Sequence, residues 1–402
     1  MKLEETLFQR IGEDWTKHSP AEILGFITPK ISQSLGLEGL EKALSNKLKV
    51  KFGIDPTGSQ IHIGHIVPIL LLSIFQKAGH DIDFIVGDFT AMVGDPSGRD
   101  TGRSQLSQKD IEENMSGFVE QAGKYIRMES LMVHHNSSWL NPLSLSDLLG
   151  HLQKMNASTV MQREDFRKRA ENGQAVSVAE LLYGVLMGFD SLALKSDVEI
   201  GGVDQLLNIA QCREMMVNAG LPAEIGLFTP IIEGTDGTGR KMSKSFGNVI
   251  TVDSSLEEKF GKVMSIPDSL ILPWFKAFTY IHTDEIAELE SFIEKDPLAA
   301  KKMLAVLLIA LETKDLESGI AEQKKFESIF SERTITAEDC EAISAEKDLF
   351  TTLRPHFSSN SELNRLFEQR AVRTLDDEIL SPDSQVLGMV RAGKRRFFNI
   401  AD

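Results

Sequence analysis

Cysteine is nearly absent from this chain. Its 402 residues contain two, Cys212 and Cys340, far apart and without partners at metal-ligand spacing. That excludes a disulfide framework and a structural zinc site, and it fits a reducing cytoplasm. Long apolar runs are missing too: the longest, Ile66 to Phe75 and Met303 to Leu311, fall well short of the roughly 20 residues that span a bilayer. Both read as buried helices, and no membrane association is expected. Residues 1–14 mix Glu, Gln, Arg and Asp with no continuous apolar core, so no secretory signal is expected there. Positive charge is scarce, with 43 Lys and Arg against 59 Asp and Glu and a net charge of −16. Because non-specific nucleic-acid affinity comes mainly from neutralising phosphates, an unspecialised polyanion binder is excluded; a local basic track is not. No internal repeat or low-complexity segment is present.

What is there has the balance of a folded globular protein, 42% hydrophobic and 25% charged. At roughly 150 residues per domain, the length implies two or three domains. Leu48 to Ile54 alternates like a strand, Asp55-Pro56-Thr57-Gly58 breaks it, and a helical apolar pattern runs from Ile66 to Lys77. A second strand reads at Ile82 to Val86, a third at Met132 to His134, and another at Val198 to Gly202, with helices around Leu143 to Asn156 and Ser177 to Leu194 between the last two. Strands alternating with helices predict an α/β fold with a parallel sheet whose working loops lie at the strand carboxyl ends. From Ser254 to about Phe330 the pattern turns mostly helical. After Thr336 it changes again, to short helices and a strand-like stretch within Val386 to Ile400.

Two clusters carry chemistry. His62-Ile63-Gly64-His65 sits just after the first strand, at the start of the following helix. Backbone NH groups and the positive helix end there suit phosphates. Gly64 lets a nucleotide lie against bare backbone, and His62 and His65 can donate to phosphate oxygens as charge builds in the transition state. Alone, the tetrapeptide reads equally well as two satisfied surface histidines. The second cluster, Lys241-Met242-Ser243-Lys244-Ser245, is preceded by Gly234, Gly237 and Gly239 and followed by Gly247. Two lysines three apart on a glycine-hinged segment can swing onto a triphosphate and neutralise departing pyrophosphate. A lone Lys-rich loop is usually a solvated turn; both clusters in this order, about 180 residues apart, are much harder to dismiss.

Together they resemble the signatures of class I aminoacyl-tRNA synthetases. Phe52 to Gly58, Gly94-Asp95-Pro96-Ser97-Gly98-Arg99 and Gly201-Gly202-Val203-Asp204-Gln205 resemble blocks of the tyrosyl family over nearly the whole chain. The resemblance implies a Rossmann-like catalytic domain over 1–252, with a helical insertion at about 110–190 and the lysine loop at about 233–250. An α-helical anticodon-side domain would follow over 253–332, and a small S4-like α+β RNA-binding module over 333–402. It also implies ATP-dependent activation of tyrosine and transfer to its tRNA, magnesium arriving with ATP, and a homodimer joined through the insertion around Met115 to Met161. By the same resemblance Asp95 and Tyr183 hold the substrate ammonium and Thr90 lines that pocket. Asp204 takes the ribose, Gln205 lies near the carboxylate, and Gly53, Asp55, Thr57 and Gly202 border ATP. Arg99 and Arg103 belong to a phosphate-contacting segment. Tyr183, Met187 and Asp190 are spaced to share one helical face. A buried Asp190 aimed at a phenol would reject phenylalanine by about 10⁴- to 10⁵-fold, although an Asp at a helix edge is more often solvated.

The chain also departs from the family pattern. Met187 stands where Gln is usual, and a thioether cannot replace amide hydrogen bonds to an amino group. Lys51 stands where many members have a Tyr that touches the phenol. The tail from Ser331 to Asp402 has 10 Lys and Arg against 13 Asp and Glu, so weak RNA affinity is expected of it. An alternative therefore stays open, a paralogue that activates tyrosine or a β-amino relative for another acceptor. A regulatory protein without catalysis is disfavoured by the two intact clusters.

Overall fold

The computed structural model describes residues 2–56, 58, 60–96, 107–156, 160–161, 164–243, 246–330, 337–376, 378–393 and 396–401. The chain divides into two compact units, Met1–Gly319 and Ile320–Asp402.

The first unit is built on a six-stranded sheet. Its strands are β1 (Gln33–Leu35), β2 (Lys49–Ile54), β3 (Asp81–Val86), β4 (Met132–His135), β5 (Val198–Gly202) and β6 (Ile225–Thr229), in the spatial order β1-β6-β5-β2-β3-β4. All neighbours run parallel except β1, which lies antiparallel on β6. The chain steps outward from β2 through β3 to β4, then returns to the other flank of β2 as β5. That reversal leaves a crevice beyond the carboxyl ends of β2 and β5, where ligands bind in open α/β sheets. The α/β fold and parallel sheet expected from the sequence are found.

Helix Ile63–Lys77 follows β2 and is apolar on nearly every side. Ile66, Val67, Ile69, Leu70, Leu71, Leu72, Ile74 and Phe75 are all buried, each contributing about 1.5–3 kcal/mol relative to exposure. The chain leaves it through Gly79 at φ 85°. The helix begins three residues before the apolar pattern because His62 caps it. The helix expected at Leu143 to Asn156 is shorter, Leu145–Leu152, because Ser144 caps it by accepting from the Asp147 NH. Helix Val178–Leu194 starts at a reciprocal Ser177/Glu180 capping box and ends where Lys195 turns left-handed. It packs closely on helix Leu206–Asn218, since a Cβ on Gly184 or Gly188 would lie 2.0 Å from Gln211 Oε1 or 2.2 Å from Met215 Sδ. Further on, Asp296 and Pro297 start helix Pro297–Thr313, ten of whose residues are buried.

The second unit holds a four-stranded sheet in the order β7-β10-β9-β8, from β7 (Glu341–Ser344), β8 (Val372–Thr374), β9 (Gly388–Ala392) and β10 (Arg396–Ala401). Leu349, Leu353, Leu363, Val390, Phe398 and Ile400 are in its core. Among the described residues, no helix is long and apolar enough to cross a membrane.

Candidate active site

A cavity of about 420 Å³ opens at the crevice between β2 and β5. One wall comes from the start of helix Ile63–Lys77. His62 Nδ1 accepts from the Gly64 NH at 3.1 Å, and His65 Nδ1 accepts from the His62 NH at 3.2 Å. Each Nδ1 used as an acceptor places that ring's proton on Nε2, which makes Nε2 a donor. The rings lie 3.9 Å apart, centroid to centroid.

The lysine loop is tied to this wall by backbone bonds. Ile63 N donates to Ile250 O at 3.0 Å and Val252 N to Ile61 O at 3.1 Å. Within the loop Gly234 N bonds Arg240 O, Met242 N bonds Ile232 O, and Ser243 N bonds Asn248 Oδ1. Gly237, Gly239 and Gly247 turn the chain at positive φ. Buried Met242 sits beside Gly64, whose Cβ would meet its Sδ at 3.9 Å. This anchoring brings Lys241 to the same cavity as His65.

A second group lies at the strand ends. Asp55, just past β2, accepts from Thr90 Oγ1 at 2.7 Å and from Tyr183 Oη at 3.0 Å. Burial pushes its carboxyl up to about 7 against those two bonds, and the neighbouring Asp95 adds to the rise. Gln205 Nε2 donates to Asp95 Oδ2 at 2.7 Å, and Asn208 Nδ2 holds Gln205 Oε1 at 2.8 Å. Burial, then Asp95, raises Asp204. The wall is a set of carboxyls crowded together, an environment that a bound cation would relieve.

The far end is buried. Asp190 is 5% exposed and accepts from Trp139 Nε1 at 2.8 Å; burial pushes it up to about 7 although nearby Lys51 opposes the rise. Lys51 Nζ meets Ser191 Oγ at 2.5 Å, Glu199 Oε1 at 3.0 Å and Glu224 Oε1 at 3.6 Å. Burial works against the Lys51 charge, but the two glutamates more than offset it and hold its pKa above the usual value. Burial raises Glu199; it also works against the Glu224 charge, but Lys51 and the bonds from Glu199, Ser196 and Ser191 more than offset it and hold Glu224 low. Glu199, Cys212 and Glu224 come close enough to suggest a metal site, yet the Lys51 ammonium already occupies the space between the carboxylates, so the cluster does not fit a cation.

Of the residues singled out in the sequence, His65, Lys241, Gly53, Asp55, Gly202 and Asp204 line this one cavity together with Thr90, Asp95, Tyr183, Met187, Asp190 and Gln205. His62 and Gly64 flank His65 in the helix's first turn. Thr57, Arg99, Arg103 and Lys244 lie outside the described residues. Sequence reasoning missed Asn136, which donates to Thr90 Oγ1, and Trp139 and Glu199. A charged residue inside an otherwise apolar parallel strand, as in Val198-Glu199-Ile200, was the available signal for Glu199.

The profile of the class I tRNA synthetases of the W and Y type matches residues 42–330. The tyrosine–tRNA ligase of Symbiobacterium thermophilum is 36% identical over 365 residues, covering 87% of this chain and 88% of that protein. That of Sulfurimonas denitrificans is 38% identical over 361 residues, covering 87% and 89%. Among solved structures, a C-terminally truncated mitochondrial tyrosyl-tRNA synthetase of Aspergillus nidulans superposes with a TM-score of 0.62 at 21% identity, over 82% of this chain and 99% of that one; it shares the fold. With a family profile spanning most of its length and relatives of this identity matched nearly end to end, the chain belongs to the tyrosine–tRNA ligase family of class I tRNA synthetases.

Proposed function

We propose that the protein is a tyrosine–tRNA ligase, which condenses tyrosine with ATP to tyrosyl-adenylate and pyrophosphate and then esterifies the tyrosyl group onto its tRNA. The observation that carries this reading is the shared cavity: His65 and Lys241 at its nucleotide side and buried Asp190 at its far end. The substrate carboxylate attacks the α-phosphorus itself, so the protein supplies positioning and charge stabilisation instead of a strong base. Asp95 and Tyr183 receive the ammonium in a pocket lined by Thr90, Gln205 lies by the carboxylate, Asp204 takes the ribose, and Gly53, Asp55, Gly64 and Gly202 border the nucleotide, with Asp55 reaching the ammonium side through its bond from Tyr183. His62, His65, Lys241 and Lys244 act on the phosphates with Thr57, Arg99 and Arg103. Magnesium enters as part of the nucleotide substrate.

Two finer readings belong to the same proposal. A homodimer is supported by the exposed Met132 and Val133 on edge strand β4 and by Leu145 and Leu149, four residues apart and exposed on one helix. The helical segment 253–332 serves the anticodon side and 333–402 acts as an S4-like module with weak RNA affinity, in a cytoplasmic enzyme. The test is pyrophosphate exchange with tyrosine, phenylalanine and β-tyrosine, followed by charging of a tRNA transcript. Exchange specific to tyrosine with charging is the expected result. Exchange without charging, or a preference for the β-amino acid, overturns it.

A further inference from the structure

Strands β2 and β5 are neighbours with Lys51 opposite Glu199. Side chains alternate along a strand, so Gly53 shares the face of Lys51, and Gly201 the face of Glu199. The glycines leave an open slot, and all four positions except Lys51 line the cavity. The Lys51–Glu199 pair therefore forms the floor beneath the slot, beside Asp190. The Lys51 ammonium is fully engaged by Ser191, Glu199 and Glu224, which leaves it no direct role in contacting a substrate. Glu199 differs. Its Oε1 meets Lys51 and its carboxyl lies against that of Glu224, but its Oε2 is buried and has no hydrogen-bond donor among the described residues. An unmade buried hydrogen bond costs about 1–3 kcal/mol, and such groups call for a partner.

We propose that Glu199 is a specificity-determining residue, the second hydrogen-bond partner of the hydroxyl at the far end of the substrate side chain, opposite Asp190. The proposal rests on the reading that this cavity takes tyrosine. A phenol both donates and accepts. Burial raises both the Asp190 and the Glu199 carboxyls, so the pair can offer the hydroxyl one acceptor and one donor. Phenylalanine fills the same slot and satisfies neither, and a site built to bond a hydroxyl rejects the analogue that lacks it. Lys51, bridging Glu199 to Glu224 and Ser191, positions Glu199 through its other oxygen.

The test compares full-length Glu199→Leu and Glu199→Gln with the unaltered enzyme in pyrophosphate exchange, reading kcat/KM for tyrosine and for phenylalanine. Glu199→Leu is expected to lower the tyrosine-to-phenylalanine ratio about 30-fold, the size of one hydrogen bond to an otherwise unsatisfied group. Glu199→Gln, which keeps polar atoms at the site, is expected to hold the ratio within about fivefold. An unchanged ratio in Glu199→Leu, or a fall shared equally by both substrates, overturns the proposal. Should Glu199→Leu not fold, a crystal structure of the unaltered enzyme with tyrosine decides the matter. Glu199 Oε2 at about 3 Å from the phenol oxygen is expected, and tyrosine bound with Oε2 out of reach overturns it. Absence of any tyrosine-dependent exchange by the unaltered enzyme is a separate outcome, which overturns the functional reading itself and this proposal with it.

Discussion

The two ends of the cavity are made in opposite ways. The nucleotide end uses a helix start, where exposed His65 is held by a local bond from the His62 NH, and a glycine-turned loop that joins it through backbone bonds. The far end uses Lys51, Glu199, Glu224 and Asp190, all buried, with Lys51 bonded to both glutamates across elements more than a hundred residues apart. The first arrangement lets charge follow a reaction in which pyrophosphate departs; the second fixes a shape. A change at the nucleotide end should therefore alter rate with little effect on stability, and a change at the floor should do the reverse or alter selectivity.

The strongest way to break this contrast is Lys51→Met. It leaves the floor carboxylates without their cation, and breaking a buried pair costs about 3–5 kcal/mol; urea unfolding should show a loss of that order. Next is Lys241→Ala, expected to slow adenylate formation about 10²-fold with the urea midpoint unmoved, as single-turnover kinetics and denaturation would together show. A destabilised Lys241→Ala would mean that the nucleotide end is structural after all.

Proton linkage sharpens the comparison. Asp55 and Asp190 both rise from 3.8 to about 7 in the folded state. Between those values the folded chain keeps protons that the unfolded chain has released, so their contribution to stability falls as pH rises from about 4 to about 7 and then levels off. Asp190→Asn should flatten that decline in pH-resolved unfolding. Tyrosine binding should show the opposite slope. An ammonium placed beside Asp55 favours its ionised form, so affinity should increase from pH 6 to pH 8 with proton release, and calorimetry on Asp55→Asn should lose that dependence. The smallest expected effect is Trp139→Phe. It removes one donor from Asp190 and should raise the tyrosine KM about fivefold, the equivalent of roughly 1 kcal/mol.

The strands that frame the cavity were legible because their residues alternate or are β-branched between clear breaks, as in Lys49–Ile54 and Val198–Gly202. The strand Ile225–Thr229 was not, being a short apolar run with Gly226 inside it and Pro222 and Pro230 at its flanks. Helix Ile63–Lys77 was recognised from Ile66 onward; its first turn depends on a histidine cap, which propensity does not reveal. The two signature clusters were readable as local strings of residues. The floor was not, because Lys51 and Glu199 meet only through the register of strands far apart in the chain. Asn136, which lines the cavity, and Trp139, which bonds Asp190, come from the segment after β4, whose position no periodicity encodes.

That register has a kinetic side. β2 can pair with β3 after about 30 residues of chain, but the partner on its other edge arrives almost 150 residues later, and distant contacts form slowly because a long loop must close first. During refolding, the imidazoles would find their helix early while the slot for the ring stayed open to water. Chains cut short before β5 lack Asp204 and Lys241 as well as Glu199, so both firm nucleotide contact and selective capture of the amino acid should appear only once β5 and the chain beyond it have docked.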